Sequence, residues 1–172
     1  MPFSRRRFVR SAALALAGSV AATTGARAQM RIDVSGVGAT QYPLAIANFA
    51  VTGNLPQDVV AIVRGDLARS GAFRLIDPQV TLPDTATPNY AELRTRGADA
   101  VLGGSIARLA DGRWDIRYRL GDTVRQSTIG GESLLTGEAD LRYAAHRIAD
   151  WVFEKLTGEK GDKDDITFGY EV

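Results

Sequence analysis

The chain has 172 residues with 21 Lys and Arg, 20 Asp and Glu, one His and no Cys, which excludes disulfides, thiolate metal sites, cysteine nucleophiles and a lipid-accepting cysteine. The net charge of +1 is unevenly spread: residues 1–28 hold Arg5, Arg6, Arg7, Arg10 and Arg27 and no acid, and the other 144 residues carry 16 basic and 20 acidic side chains. That acidic remainder lacks the positive field that phosphate contacts need, which argues against a nucleic-acid-binding protein.

Residues 1–28 have the three-part layout of a cleavable signal peptide. Arg5, Arg6, Arg7 and Arg10 form a charged start, and a mildly apolar run, Ala12 to Ala22, follows. Ala26-Arg27-Ala28 then places small residues where a signal peptidase reads, so cleavage is expected between Ala28 and Gln29. The apolar run is shorter than the ~20 residues that span a bilayer as a helix. Arg5 and Arg6, within Ser4 to Arg10, also resemble a twin-arginine export motif. That route and the general secretory route both deliver the mature chain outside the cytoplasm.

Gln29-Met30-Arg31-Ile32-Asp33-Val34 ends in alternation, Ile32 and Val34 against Arg31 and Asp33, which suits a short strand. Ser35-Gly36-Val37-Gly38 follows as a flexible or tightly turning stretch. A thin strand that glycines allow to peel away can add to a partner's sheet edge. Leu44 to Val51 is apolar on both faces apart from Asn48 and reads as one buried central strand.

Asn54 is a candidate helix cap with Pro56 in the first turn. Val59, Ile62, Val63 and Leu67 recur at helical spacing, and Gly71 is a good stop. Phe73 to Ile76 gives a short strand, so strand, helix and strand make a parallel crossover unit. Residues 78–88, with Pro78, Pro83 and Pro88, read as a surface loop. Tyr90 to Arg96 is a short helix stopped by Gly97.

Ala100 to Leu109 is strand-like, and Asp111-Gly112 signals a two-residue hairpin. Trp114, Ile116, Tyr118 and Leu120 alternate with Asp115, Arg117 and Arg119, giving a strand with one buried and one wet face. Gly121-Asp122-Thr123 turns the chain, and Gln126 to Leu134 returns as a further strand. Gly137 to Leu156 is the longest helix, with an apolar stripe of Leu141, Ala145, Ile148, Val152 and Leu156, ended by Gly158. Glu159 to Asp165 is a charged linker, and Ile166 to Tyr170 is strand-like. No internal repeat is present. The predicted fold is α/β (mixed α+β), a single mixed sheet of about five strands with helices packed against it.

Signals for chemistry are few. His146 is the sole imidazole, so a Ser-His-Asp hydrolase would have to use it. It lies off the apolar stripe and reads as a surface or rim residue. Gly103-Gly104-Ser105 fails the nucleophile-turn pattern because Ala107 stands where glycine is required; the glycines there read as a bulge or close helix packing. Asp162-Lys163-Asp164-Asp165 lacks the ligand spacing of a calcium loop. Asp33, Asp111 and Asp122 are turn residues. No catalytic, metal or cofactor site is expected, and the features point to binding.

Taken in order, several stretches resemble the N-terminal domain of the TolB family of the Tol–Pal envelope system. They are Arg31 to Val37, Pro43 to Phe49, Asp66 to Phe73, Gly97 to Gly104 and, most specifically, Leu141 to Asp150 continuing through Phe153-Glu154-Lys155-Leu156-Thr157-Gly158-Glu159-Lys160-Gly161. The resemblance spans about 29–161. It implies a non-enzymatic periplasmic scaffold that supports outer-membrane integrity and cell division. It further implies contact with the C-terminal domain of TolA through the extreme N-terminal strand, here Gln29, Met30, Arg31, Ile32, Asp33, Val34, Ser35, Gly36 and Val37. Members of the family continue into a C-terminal β-propeller that binds Pal, so Pal binding is not carried over.

The expected organisation is a signal peptide (1–28), one TolB-like domain (29–161), and a linker with the start of a further domain (162–172). A fragment, a naturally short paralogue and an interrupted reading frame all fit that organisation. Two other readings stand beside it. One is a regulatory domain similar to curli-secretion or penicillin-binding-protein activator proteins; the other is a small periplasmic hydrolase using His146.

Overall fold

The structure is a computed structural model and describes residues 41–159. The expected export signal and cleavage site, the expected strand at Gln29 to Val34 with its glycines, and the linker and strand after Lys160 lie outside the described residues.

The described chain runs β1 (Tyr42–Ile46), β2 (Ala50–Thr52), α1 (Val59–Arg69), β3 (Phe73–Ile76), α2 (Tyr90–Thr95), β4 (Ala100–Arg108), β5 (Trp114–Asp122), β6 (Ser127–Thr136), a single 3-10 turn (Glu138–Asp140) and α3 (Leu141–Thr157). All six strands form one mixed sheet in the order β3-β1-β4-β5-β6, with β2 also paired to β4. β1 is parallel to β3 and β4, β2 is parallel to β4, and β5 and β6 continue antiparallel.

Alternation along the central strands sorts side chains to two faces. Leu44, Ile46, Leu102 and Ile106 point to the main core, which they share with Val59, Val63 and Leu67 of α1 and Leu141, Ala145, Ile148 and Val152 of α3. Ala45 and Val101 point the other way, into a smaller core with Leu93, Ala98 and the flanking Leu82 and Tyr90. Trp114, Ile116, Tyr118 and Leu120 of β5 are buried in the main core, as their spacing predicts. Each fully buried aliphatic side chain of this kind contributes roughly 1.5–3 kcal/mol.

The expected single strand from Leu44 to Val51 is two strands. β1 ends at Ile46 because the chain Val80-Thr81-Leu82 passes alongside Asn48. The Asn48 N–H donates to the Val80 carbonyl, the Leu82 N–H donates to the Asn48 carbonyl, and the Gly104 N–H donates to the Leu82 carbonyl. The loop at 78–88 is therefore not purely a surface element: three of its residues sit between two parts of the sheet.

Other boundaries also shift for identifiable reasons. α1 starts after Asp58, whose carboxylate accepts the Ala61 N–H at 3.0 Å, rather than at Asn54-Pro56. Gly71 follows its end with φ +70°. The hairpin after β4 has three residues, Ala110-Asp111-Gly112, because the Gly112 N–H bonds back to the Leu109 carbonyl and the Leu109 N–H to the Arg113 carbonyl. Gly121 and Asp122 belong to β5, and the turn comes after them. The long helix proper begins at Leu141 and closes at Gly158 with φ 74°, its N–H bonded to the Glu154 carbonyl.

Candidate functional site

The packing of α1 on α3 produces an acid–imidazole cluster. Asp66 lies on the inner side of α1, 5% exposed, and His146 on α3 approaches it with Nδ1 2.6 Å from Oδ2. Arg69, one turn along α1, bonds the other carboxylate oxygen. Asp150, one turn along α3 from His146, has its carboxyl raised above the ordinary range, first by burial and then by the charge of Asp66, with His146 acting in the opposite sense. His146 is thus a rim residue engaged with a buried carboxylate; its side chain is 14% exposed. The partner was not legible in the sequence, because Asp66 reads there only as part of a helix.

This arrangement suits a helix–helix clasp better than proton transfer. A base needs access to substrate, and the His146 side chain is only 14% exposed where the two helices meet. Asp66 has two cationic or hydrogen-bonding partners, which is how a buried carboxylate is kept in a fold.

Gly103 and Gly104 form neither a nucleophile turn nor a bulge. They lie inside β4 in regular register with β5. A Cβ at Gly103 would stand 2.7 Å from the Leu82 side chain and carbonyl, and one at Gly104 2.6 Å from the Arg117 carbonyl and the Phe49 ring. Close packing is the reason for both, as expected, but against the inserted loop and an aromatic ring rather than a helix. The Ser105 hydroxyl accepts the Asp84 N–H at 3.3 Å.

Of the expected turn aspartates, Asp111 and Asp122 act as their positions predict, and Asp33 lies outside the described residues. Asp111 accepts the N–H and the guanidinium of Arg113, which together hold its carboxyl below the usual range. Asp122 accepts the N–H groups of Val124 and Arg125, both at 2.8 Å. Among the described residues no three His, Cys, Asp or Glu side chains gather as a metal-holding group, and no helix is long and apolar enough to cross a membrane.

The partner-binding residues expected from the sequence, Gln29 to Val37, lie outside the described residues, as do Arg5, Arg6 and Ala28. The described chain begins beside the C-terminal end of α1. The Gln41 side-chain amide donates to the Gly71 carbonyl at 3.1 Å and the Tyr42 N–H to the Ala72 carbonyl at 2.9 Å. The Tyr42 phenol is pushed up to about 12 by burial and by the nearby carboxylates of Asp122 and Asp99, so it stays a neutral hydroxyl. Elsewhere an open groove of about 320 Å³ runs between β2 and the start of α1, lined by Asn48, Phe49, Val51, Leu55, Asp58 and Ile106 among others. Arg64 of α1 donates to the Ile46 carbonyl at 2.7 Å and to the Asn48 side-chain oxygen at 3.1 Å.

Comparison with known proteins bears on the whole described domain. A family described as the TolB amino-terminal domain matches residues 30–129. The Tol-Pal system protein TolB of Aromatoleum aromaticum is 52% identical over 159 residues, covering 92% of this chain and 36% of the relative. The Tol-Pal system protein TolB of Polaromonas naphthalenivorans is 48% identical over 160 residues, with the same 92% and 36% coverage. The chain therefore spans about a third of the length of the curated relatives it matches. Among solved structures, TolB from Acinetobacter baumannii superposes with a TM-score of 0.59 at 29% identity, over 72% of this chain and 30% of that one. One mixed sheet flanked by helices is thus the shared fold.

Proposed function

The chain belongs to the TolB family through its amino-terminal domain, and from that premise we propose that it is a non-enzymatic interaction module of a Tol–Pal envelope system. It is exported to the periplasm by the signal at residues 1–28 and binds the C-terminal domain of TolA through Gln29 to Val37. In that role it supports outer-membrane integrity and constriction during division.

The observation that carries this reading is the match to Tol-Pal system relatives at about half identity along 92% of the chain. Supporting it is the sequence of the segment itself: alternating Arg31-Ile32-Asp33-Val34 followed by Gly36 and Gly38. Extended segments of this kind bind by adding main-chain hydrogen bonds to a sheet edge, with alternate side chains supplying specificity. The contact is a binding step with no bond made or broken. Partners that depend on the part of the relatives beyond this chain, Pal among them, are not assigned to it.

The two other readings are not favoured. The regulatory-domain reading has no support in the relatives at about half identity, which are Tol-Pal system proteins. The hydrolase reading has no support in those relatives either; His146 meets Asp66 where α1 packs on α3.

The test is a calorimetric titration of the full chain, and of a variant lacking Gln29 to Val37, against the TolA C-terminal domain. At least a tenfold loss of affinity in the shortened variant is expected. Equal affinity would overturn the assignment of the contact to this segment.

A further inference from the structure

The chain enters the described domain at one end of the sheet. At that end β1 starts at Tyr42, β3 starts at Phe73, β4 starts at Ala100 and β5 finishes at Asp122. The entry is fastened, since Gln41 and Tyr42 donate to the Gly71 and Ala72 carbonyls. The partly exposed Tyr42 phenol lies within the field of Asp99, Asp122, Arg94 and Arg125, so these groups share its neighbourhood.

The turn after β5, at the same end, presents Val124 as an apolar side chain that is 58% exposed. The turn is pinned from below. The buried Asp122 carboxylate accepts the N–H groups of Val124 and Arg125. Thr123 bonds to the residues leading into β4, its N–H to the Asp99 carbonyl and its hydroxyl to the Ala98 carbonyl. A contact group fixed before association loses less freedom on binding. The surface beside the entry is open: a Cβ on Gly71 would meet nothing within 4 Å. The charges here are matched in pairs, Arg94 with Asp99 and Arg125 with Asp122 at 3.9 Å. Apolar contact, rather than net charge, is what this end offers.

We propose that this end of the sheet is a second contact for the partner that binds Gln29 to Val37, with Val124 and Tyr42 meeting an uncharged patch beside that partner's open sheet edge. The inference rests on the reading of Gln29 to Val37 as the binding segment, and the short tether carries it. Val37 is four residues from Gln41, which is at most ~14 Å of extended chain. β5 lies two lanes from β1 across β4, about 10 Å away. A folded domain paired to the segment is therefore held within reach of both side chains. With the segment bound, the second contact is intramolecular, and a tether this short sets an effective concentration of about a millimolar. Even a weak surface contact then adds to the affinity.

Calorimetry against the TolA C-terminal domain compares the full chain with a blocked peptide of Gln29 to Val37. The peptide should bind about tenfold more weakly. Ten Gly and Ser residues inserted between Gly38 and Ala39 should cost the full chain about fivefold, because effective concentration falls with tether length. Val124→Gln, an exposed substitution, should weaken binding about threefold in the full chain, with circular dichroism checking that the variant stays folded. The proposal is overturned if the peptide binds as tightly as the full chain, or if the insertion or Val124→Gln leaves the affinity unchanged. Those results, with binding still lost on removal of Gln29 to Val37, would remove the second contact alone. Equal affinity after that removal would defeat the reading of the segment and this inference with it.

Discussion

β4 and β6 each contain a Gly-Gly pair, and the two pairs do different work. In β4, at the centre of the sheet, Gly103 and Gly104 are pressed from both faces, with neighbours 2.6–2.7 Å from where a Cβ would sit. In β6, at the rim, a Cβ on Gly130 would meet only the edge of the Trp151 ring at 3.3 Å, while Gly131 approaches the Tyr118 carbonyl at 2.8 Å. The central pair exists so that other chain can come close. In the rim pair only Gly131 is pressed in this way, and Gly130 has slack. Identical dipeptides in strands thus carry different meanings, and only the neighbours decide which.

The largest effect expected from that contrast is on stability. Gly104→Ala should destabilise the fold by about 3 kcal/mol, since both the Arg117 carbonyl and the Phe49 ring would have to give way. Gly130→Ala should stay within about 1 kcal/mol, because a ring edge can move and alanine lowers the entropy of the unfolded chain. Urea denaturation midpoints measure both, and similar losses would break the distinction between centre and rim.

A smaller loss tests whether the helices reinforce the centre. Asp66→Ala removes a buried acceptor shared by Arg69 and His146 between α1 and α3 and should cost about 2 kcal/mol. The His146→Ala variant, which leaves Asp66 with Arg69, should lose less. If both were neutral, the cluster would add nothing to the apolar contact between the helices.

The smallest effect concerns Asp150. Burial and the charge of Asp66 raise its carboxyl in the folded state, so the folded chain binds that proton more readily than the unfolded chain does. At neutral pH the ionised group disfavours folding, and the penalty is relieved as pH falls through the raised value. Asp150→Asn should therefore stabilise the protein slightly at neutral pH, and the gain should fade on acidification. A gain independent of pH would assign the effect to something other than charge.

Features visible in the sequence were those set by local pattern. The apolar stripe of α3 and the alternation of β5 need only neighbouring residues to be recognised, and both stand in the structure with the predicted residues buried. The break between β1 and β2 is imposed by residues 80–82, far along the chain, so nothing within Leu44 to Val51 announces it. The start of α1 was misplaced because Asn54 and Asp58 are both acceptable caps, and the first buried turn, Val59 and Val60, decides between them. The likeness of residues 29–161 to TolB was legible from ordered stretches. The Asp66–His146 contact was not, because it joins two helices 80 positions apart.

The passage of Val80 to Leu82 beside Asn48 and Gly104 also constrains the route by which the chain can assemble. The three segments are far apart in the chain, so bringing them together costs loop-closure entropy, and less of it once β3 has paired with β1. A nascent chain interrupted before Gly104 would have β1 and β3 in hand but no strand to complete the junction. Its exposed edges would then face the solvent until β4 emerged.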